Sequence, residues 1–425
     1  MRKYFGTDGI RGVVGEKITP KIAFDLGKAL TLKKSRPNII VGRDTRISGE
    51  ALLHSFTSGV LSGGGNVYDL GITSTPSIAF LVKELSFDYG LMITASHNPP
   101  EHNGLKLFNN RGEKLSDNDE RDIEQLFDKK VALFDGKYHK VKNLLNIYKK
   151  LLIGITDLSG MRIAIDCSNG AVSQIASEVL KKMGAEVFKT GISPNGKKIN
   201  KNCGCLHIDH LKNFMKDKDV DAGFAFDGDA DRCIAVDNNG NEIDGDKILY
   251  ILAKYSDIPS TVVVGTSQTN SVIEKEITKM GKTFIRADVG DKYVLEKLIK
   301  HNGVLGGEKA GHIIILNKNN SGDGLLTAIE ICKTIKDTGK SLSELNDIKL
   351  YPQQIINLSV EDKNIVENKE LLSFIQELAQ ECRVNIRASG TEDLVRIMCE
   401  AKEQDDVNRY LSIILEKIKS IINRK

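Results

Sequence analysis

The stretch Ala222-Gly-Phe-Ala-Phe-Asp-Gly-Asp-Ala-Asp-Arg232 joins an apolar run to three carboxylates at alternate positions. The first five residues read as a buried strand of a covered, mostly parallel sheet. Asp227, Asp229 and Asp231 then crowd at its carboxyl end, where open α/β sheets collect their ligands. Packed together they repel one another unless a cation sits among them or some are protonated. An all-oxygen set suits a hard ion such as Mg²⁺, which keeps positions open for water or a phosphate oxygen.

Working outward, one layout recurs three times: strand, polar loop, amphipathic helix, glycine, second strand. It runs from Ile39-Ile-Val41 through Gly42-Arg-Asp-Thr-Arg46 to Val67-Tyr68, and from Ile163-Ala-Ile165 through Asp166-Cys-Ser-Asn-Gly170 to Val187-Phe188. The third copy runs from Val262-Val-Val264 through Gly265-Thr-Ser-Gln-Thr269 to Phe284-Ile285. The middle helix has the clearest stripe: Val172, Ile175, Ala176, Val179, Leu180 and Met183. Each unit then reaches a further strand that ends in an unusual loop: Thr94-Ala-Ser-His-Asn-Pro99, the aspartate cluster, and Gly306-Gly-Glu-Lys-Ala-Gly-His312. Three such units can point equivalent loops into one shared cleft.

The last 75 residues change character, with strand-like Ile355 to Val360, a helix near 370–379, strands near Val384 and Val395, and a closing helix. That helix is expected to bury Val407, Leu411, Ile414, Ile418 and Ile422. The expected fold class is α/β: three similar domains with mixed, mostly parallel sheets, plus a C-terminal α+β domain, around a central cleft. The boundaries read as 1–154, 155–256, 257–350 and 351–425.

Composition bounds the function. With 425 residues, 40% hydrophobic and 28% charged, the chain reads as a globular protein of several domains. A net charge of only +3 gives no global basic field for nucleic acid or an anionic membrane. No apolar run approaches membrane-spanning length, and the N-terminus lacks the apolar core of a signal peptide. Seven scattered cysteines form no disulfide framework and fit a reducing cytoplasm. A homodimer is left open.

The loops carry the chemistry. Ser96 sits just past a strand, followed by His97, Asn98 and two prolines that stiffen the turn. A serine there can be a nucleophile or a phosphate carrier, whose oxygens a metal can grip. No Gly-x-Ser-x-Gly elbow surrounds it, which argues against acyl transfer. Arg387, Ser389, Gly390 and Thr391 form a compact anion cradle of guanidinium, hydroxyls and approachable amides.

Three motifs are set aside. Gly191 to Lys197 nearly matches a P-loop, but Lys198 replaces the Mg²⁺-binding Ser/Thr. Cys203, Cys205, His207 and His210 resemble a zinc cluster, but with Cys-x-Cys spacing. The aspartate run opens like an EF-hand, yet Arg232 and Asn238 occupy its glycine and glutamate positions.

Taken together, Gly6-Thr-Asp-Gly-Ile-Arg11-Gly12, the Ser96 loop, Asp227-Gly-Asp-Ala-Asp-Arg232, Gly307-Glu-Lys-Ala-Gly-His312 and Arg387-Ala-Ser-Gly-Thr391 resemble the α-D-phosphohexomutase superfamily over nearly the whole chain. Tyr4 to Gly12, Asp44-Thr-Arg-Ile-Ser-Gly49 and Ser321 to Ala328 are most similar to the subgroup of bacterial phosphoglucosamine mutases. The resemblance implies a heart-shaped, four-domain enzyme in which Ser96 carries the phosphoryl group. It implies one Mg²⁺ per active site, on Asp227, Asp229, Asp231 and an oxygen of phospho-Ser96. Arg11 and Arg232 would hold that phosphate, and His97 and Lys106 would assist proton transfer. Glu308 and His312 would read the sugar, and Arg387, Ser389, Gly390 and Thr391 would grip the distal phosphate.

The implied reaction interconverts glucosamine 6-phosphate and glucosamine 1-phosphate through a 1,6-bisphosphate, which also serves as activator, and feeds UDP-N-acetylglucosamine and cell-wall precursors. The alternative is the same mechanism on mannose or glucose phosphates. One position departs from the family: Ala310 stands where the sugar loop usually carries serine, removing a hydroxyl contact worth about 1 kcal/mol. Serving both ends of one sugar also implies a hinged fourth domain that closes on it. A Mg²⁺-dependent phosphomonoesterase would instead release free phosphate with little dependence on Ser96. A non-catalytic sugar-phosphate-binding protein would bind without isomerising.

Overall fold

A computed structural model describes residues 3–6, 8–131, 133–388, 394–422 and 424. Four sheets follow one another along the chain. The first holds β1 (Ile10–Val13), β2 (Asn38–Arg43), β3 (Asn66–Ile72), β4 (Tyr89–Ile93), β5 (His102–Asn109) and β6 (Tyr138–Lys140), in the order β1-β5-β4-β2-β3-β6. The second holds β7 (Arg162–Asp166), β8 (Glu186–Thr190), β9 (Ala222–Phe226), β10 (Cys233–Asp237) and β11 (Glu242–Ile243), in the order β11-β10-β9-β7-β8. The third holds β12 (Val262–Thr266), β13 (Thr283–Ala287), β14 (Leu305–Gly307) and β15 (Ile313–Ile315), ordered β13-β12-β14-β15.

These three sheets repeat one topology. The strand that opens each repeat (β2, β7, β12) lies between two parallel neighbours. A fourth strand (β5, β10, β15) returns antiparallel beside the third. The three unusual loops are therefore the turns of three equivalent hairpins, each at the carboxyl end of a parallel strand. The sheets are mixed and mostly α/β-covered, as the alternating pattern implies. The last sheet is fully antiparallel: β16 (Gln353–Ser359), β17 (Arg383–Ala388) and β18 (Leu394–Glu400), ordered β16-β18-β17.

Burial follows the sequence stripes with two local differences. Val172, Ile175, Ala176, Val179, Leu180 and Met183 are buried as expected, but the helix breaks at Ile175 into a 3₁₀ turn (Ala171–Gln174) and a short α-helix (Ala176–Lys182). In the closing helix, Gln404–Ile422, Ile421 is buried and Ile422 is exposed, reversing the expectation for Ile422. At 100° per residue Ile421 lies about 40° from Val407 and Ile422 about 60° on the other side, so the stripe favours Ile421.

The second and third sheets share one core. Ile163, Ile165, Phe224 and Phe226 belong to the same buried cluster as Val263, Leu305, Ile313 and Ile315. The helix Gly324–Thr338 packs on β9 and β10, and the helix Gly245–Tyr255 packs on β14 and on the helix Ser271–Lys279. Asp323 caps the first of these helices by accepting the amide of Leu326 at 3.0 Å, and Gly339 ends it at φ 66°. Each Leu or Ile it buries contributes about 1.5–3 kcal/mol, enough in sum to fasten the two sheets together. No described helix is long and apolar enough to cross a membrane.

Candidate active site

The serine loop leaves β4 at its carboxyl end, and Ser96 sits there in the left-handed region with φ 50°. That backbone costs a non-glycine residue about 1 kcal/mol or more, so something must hold it. Thr94 Oγ1 accepts the Ser96 amide at 2.9 Å and itself donates to Asp44 at 2.7 Å. The fully buried Arg46 guanidinium does most of the remaining work. It bonds Asp44 at 2.9 Å, the Ser96 carbonyl at 3.0 Å, those of Asn98 and His102 at 2.7 and 2.9 Å, and that of Pro99. Asn200 adds a second donor to the Ser96 carbonyl, at 2.7 Å. Gly228 lets the aspartate loop press against this carbonyl; a Cβ there would lie 2.6 Å from it.

Arg46→Met should therefore release the loop. Displacement of a reacting atom by about 1 Å costs roughly 10²-fold in rate, and removing one partner of a buried ion pair destabilises by about 3–5 kcal/mol. The expected result is a kcat lowered about 100-fold with a lowered Tm; full activity would show that the loop holds without Arg46.

From this perch Ser96 Oγ donates to Asp227 Oδ2 at 2.6 Å and lies 3.3 Å from His97 Nδ1. Carboxylate oxygens of Asp227, Asp229 and Asp231 all lie within 4.8 Å of one another, and all three residues are buried. Burial, and then the charges of Asp231 and Asp229, push the Asp227 carboxyl far above its ordinary range. Burial also opposes ionisation of Asp231, but Lys106, His312 and Arg232 outweigh it and hold that carboxyl low. Oδ1 of Asp229 and Oδ1 of Asp231 are buried without a hydrogen-bond partner. Two orphaned carboxylate oxygens beside a third carboxyl, that of Asp227, whose ionisation is opposed are a donor set suited to a hard divalent cation.

Lys106 lies on β5 opposite Met92, and its ammonium contacts Asp229 at 2.8 Å, Asp231 at 3.1 Å and Asp8 at 3.2 Å. Against the cost of burial, these three carboxylates raise its pKa well above that of a free lysine. It is an ammonium here and must give up its proton before it can accept one. His97 is the opposite case: burial, then the charges of Arg232 and Arg11, push it down to about 3. Its imidazole is neutral across the physiological range.

Arg11, on β1, and Arg232, just before β10, face this centre. Arg11 touches Asp8 at 3.3 Å, and Arg232 Nε stands 3.9 Å from Asp231 Oδ1. Both line a cleft of about 380 Å³ that also takes in Asp8, His97, Asp231, Glu308, His312 and Arg387. Glu308 Oε1 accepts the Gly290 amide at 3.0 Å. His312 is buried with neither ring nitrogen hydrogen-bonded, its Nε2 3.5 Å from Asp291 Oδ2. Ala310 lines the same wall.

Arg387, which lines the same cleft, lies directly across the β17–β18 ladder from Arg396. Like charges in direct opposition destabilise a sheet, and burial followed by the Arg396 charge lowers the Arg387 pKa. A pair of guanidiniums so placed favours an anion between or above them. Ser389, Gly390 and Thr391, the rest of the expected cradle, lie outside the described residues.

The structure thus gathers Ser96, His97, Lys106, Arg11, Arg232 and the three aspartates, and the adjoining cleft is lined by Arg11, His97, Asp231, Arg232, Glu308, His312 and Arg387. A larger cavity, about 760 Å³, lies beyond Lys114, Asp291 and His312 but contains no comparable cluster. Among the described residues only the aspartate triad groups as a metal site; Cys203, Cys205 and His207 join no such group, and His210 instead pairs with Asp166 at 2.8 Å. No helix follows Gly191 to Lys197 closely enough to make a phosphate loop. Sequence reasoning missed Arg46, Asn200, Lys114 and Arg396. Lys114 joins Asp8 to Asp291 across the first and third sheets, at 2.5 Å from Asp291.

Known proteins match along the whole chain. Models of the phosphoglucomutase/phosphomannomutase α/β/α domains I, II and III match residues 2–133, 142–240 and 244–351, and the C-terminal domain model matches 355–417. A phosphoglucosamine mutase of Shouchella clausii is 42% identical over 443 residues, covering 99% of each chain. The crystal structure of a phosphoglucomutase/phosphomannomutase family protein from Burkholderia thailandensis superposes with a TM-score of 0.85 at 22% identity, covering 98% of this chain and 97% of that one. An N-acetylphosphoglucosamine mutase of Aspergillus fumigatus, in complex with GlcNAc-6P and magnesium, superposes with a TM-score of 0.69 at 16% identity over 100% of this chain and 96% of its own. With four family domains in sequence and a relative this similar over its full length, the chain belongs to the phosphoglucomutase/phosphomannomutase family of α-D-phosphohexomutases, and within it is most like the phosphoglucosamine mutases.

Proposed function

We infer that the chain interconverts glucosamine 6-phosphate and glucosamine 1-phosphate, with Ser96 as the phosphoryl carrier. The observation that carries this reading is the contact of Ser96 Oγ with Asp227, 2.6 Å long, inside a carboxylate triad beside a cleft that Arg387 also lines. A phosphate-bearing sugar needs chemistry at one of its ends and an anion grip at the other when either end must meet the same serine.

Each residue has a role that its surroundings support. Asp227, Asp229 and Asp231 would hold Mg²⁺, which supplies positive charge to the oxygens of the transferring phosphate. Arg11 and Arg232 hold that phosphate with forked donors as charge develops. Lys106, kept protonated by Asp229, Asp231 and Asp8, can deliver a proton to the departing oxygen. Neutral His97, beside Ser96 Oγ, orients the hydroxyl without adding repulsive charge. Glu308 and His312 face the ring hydroxyls, and Arg387 with Arg396 holds the distal phosphate, aided by the loop 389–391.

In the first half-reaction the bond from phosphorus to Ser96 Oγ breaks as the free sugar hydroxyl bonds phosphorus; Lys106 gives its proton to Ser96 Oγ and then recovers the one the sugar hydroxyl loses. In the second, after the 1,6-bisphosphate turns over, Ser96 Oγ takes the other phosphoryl group. A sugar 1,6-bisphosphate would accordingly act as activator. All seven cysteines are free, which suits a reducing cytoplasm.

The sugar is tested by turnover of glucosamine-, glucose- and mannose-6-phosphate side by side, each with Mg²⁺ and a trace of bisphosphate. Glucosamine 6-phosphate should show the highest kcat/KM. A higher value on glucose or mannose phosphate would instead favour the neutral-sugar reading, which Ala310 in the sugar loop makes the natural rival. Release of inorganic phosphate as the main product would favour a phosphomonoesterase.

A further inference from the structure

The C-terminal sheet carries two rows of polar side chains on one face. Gln353, Glu400 and Arg383 are direct neighbours across β16, β18 and β17. Asn357, Arg396 and Arg387 form a second row four residues along the same strands. Because strand side chains alternate, an even spacing keeps both rows on one face, about 13 Å apart.

The first row is fastened to the third sheet. Glu400, 2% exposed, accepts the Ser271 amide at 3.1 and 3.3 Å, at the start of the helix Ser271–Lys279. It also accepts Gln353 Nε2 at 3.1 Å and Arg383 Nη2 at 2.8 Å. Arg383 in turn donates to the carbonyls of Ser267 and Thr269, at 2.9 and 2.8 Å. Gln353 donates to the Gln268 carbonyl at 2.8 Å and accepts from Lys309 of the sugar loop at 2.8 Å. The row centred on one buried carboxylate therefore ties three strands of the last sheet to the segment 267–271, and it also touches the loop that carries Glu308.

We infer that Gln353, Glu400 and Arg383 are positioning residues that set where Arg387 and Arg396 meet the distal phosphate. The inference rests on the distal-phosphate role given to Arg387 above. None of the three need touch substrate. A rigid ladder fixed at one row transmits any tilt to the other, so a small rotation at Glu400 displaces the guanidiniums along the 13 Å arm estimated above. Charge-assisted bonds are short and directional, which makes Glu400 the residue whose loss should loosen the row most.

The test uses full-length, Mg²⁺-loaded protein. Glu400→Gln keeps the shape and an acceptor but removes the charge that pairs with Arg383. Binding of glucose 1,6-bisphosphate is measured by calorimetry in a Ser96→Ala background, so that no transfer occurs. The expected result is affinity weakened about tenfold, with KM for glucosamine 6-phosphate raised by a similar factor and kcat within about twofold when Ser96 is present. Gln353→Ala, which removes no charge, should shift both in the same direction by about threefold. It decides the question if Glu400→Gln does not fold.

Unchanged bisphosphate affinity in a folded variant would overturn the inference, even with a lowered Tm. So would a fall in kcat at constant KM. If the parent protein failed to isomerise glucosamine 6-phosphate, the proposed function would fall instead, while the calorimetric comparison would still judge the row.

Discussion

Ser96→Ala is expected to lower kcat for isomerisation by at least about 10⁴-fold, as loss of a covalent nucleophile does, while the protein remains folded. The Oγ of Ser96 is the hydroxyl seated on Asp227 at 2.6 Å, and alanine offers nothing in its place. The backbone at φ 50° is held by Thr94, Arg46 and Asn200, none of which contacts Oγ. The stability cost should therefore be that of one hydrogen bond, about 1 kcal/mol, or a few degrees in Tm. Residual activity above about 1% of the parent would be too large for a missing nucleophile. It would move the phosphoryl group to another acceptor or make the transfer direct.

Chelation should have the second-largest effect. Stripping divalent metal is expected to lower kcat at least about 10³-fold, since charge stabilisation by a metal is worth several kcal/mol and each 1.4 kcal/mol is tenfold. Added Mg²⁺ should restore the rate. The same titration should raise Tm. Asp227, Asp229 and Asp231 are buried within 4.8 Å of one another, and a cation offsets their repulsion, including the part that raises the Asp227 pKa. Asp229→Asn should blunt both responses, although this residue also accepts Lys106 and Thr75. Activity indifferent to chelator, with a Tm unmoved by Mg²⁺, would mean that Lys106 alone neutralises the triad.

The features legible in the sequence were those written in consecutive residues. The aspartate triad, the Ser96 turn and the repeated strand–loop–helix pattern each declare themselves locally, and their common place at carboxyl strand ends follows from sheet topology. What stayed hidden depends on register and long-range packing. Arg46 reads as one more polar residue until its guanidinium is found bonding carbonyls 50 and more residues away. Arg396 becomes notable only because the antiparallel register sets it opposite Arg387. Glu400 and Arg383 look like strand-end charges and turn out to join two sheets.

Protonation states were equally out of reach. The resemblance implies only that Lys106 assists proton transfer; that three carboxylates from two sheets make it a firm ammonium is visible only in the fold. The shared core of the second and third sheets has the same origin. The helix Gly324–Thr338 follows the last strand of the third sheet in sequence yet packs on β9 and β10 of the second, which no local pattern announces. The Ile421 and Ile422 reversal is smaller in kind, a matter of tens of degrees on one helix.

The most direct test is a single-turnover transfer. Protein charged with glucose 1,6-bisphosphate and freed of excess is mixed with glucosamine 6-phosphate, quenched at intervals, and analysed by peptide mass spectrometry. At each time the phosphoryl group missing from the Ser96 peptide should equal the glucosamine 1,6-bisphosphate present, mole for mole, and it should return to Ser96 as glucosamine 1-phosphate forms. A phosphoryl group on any other residue, or discharge to inorganic phosphate at the same rate with and without the sugar, would contradict it.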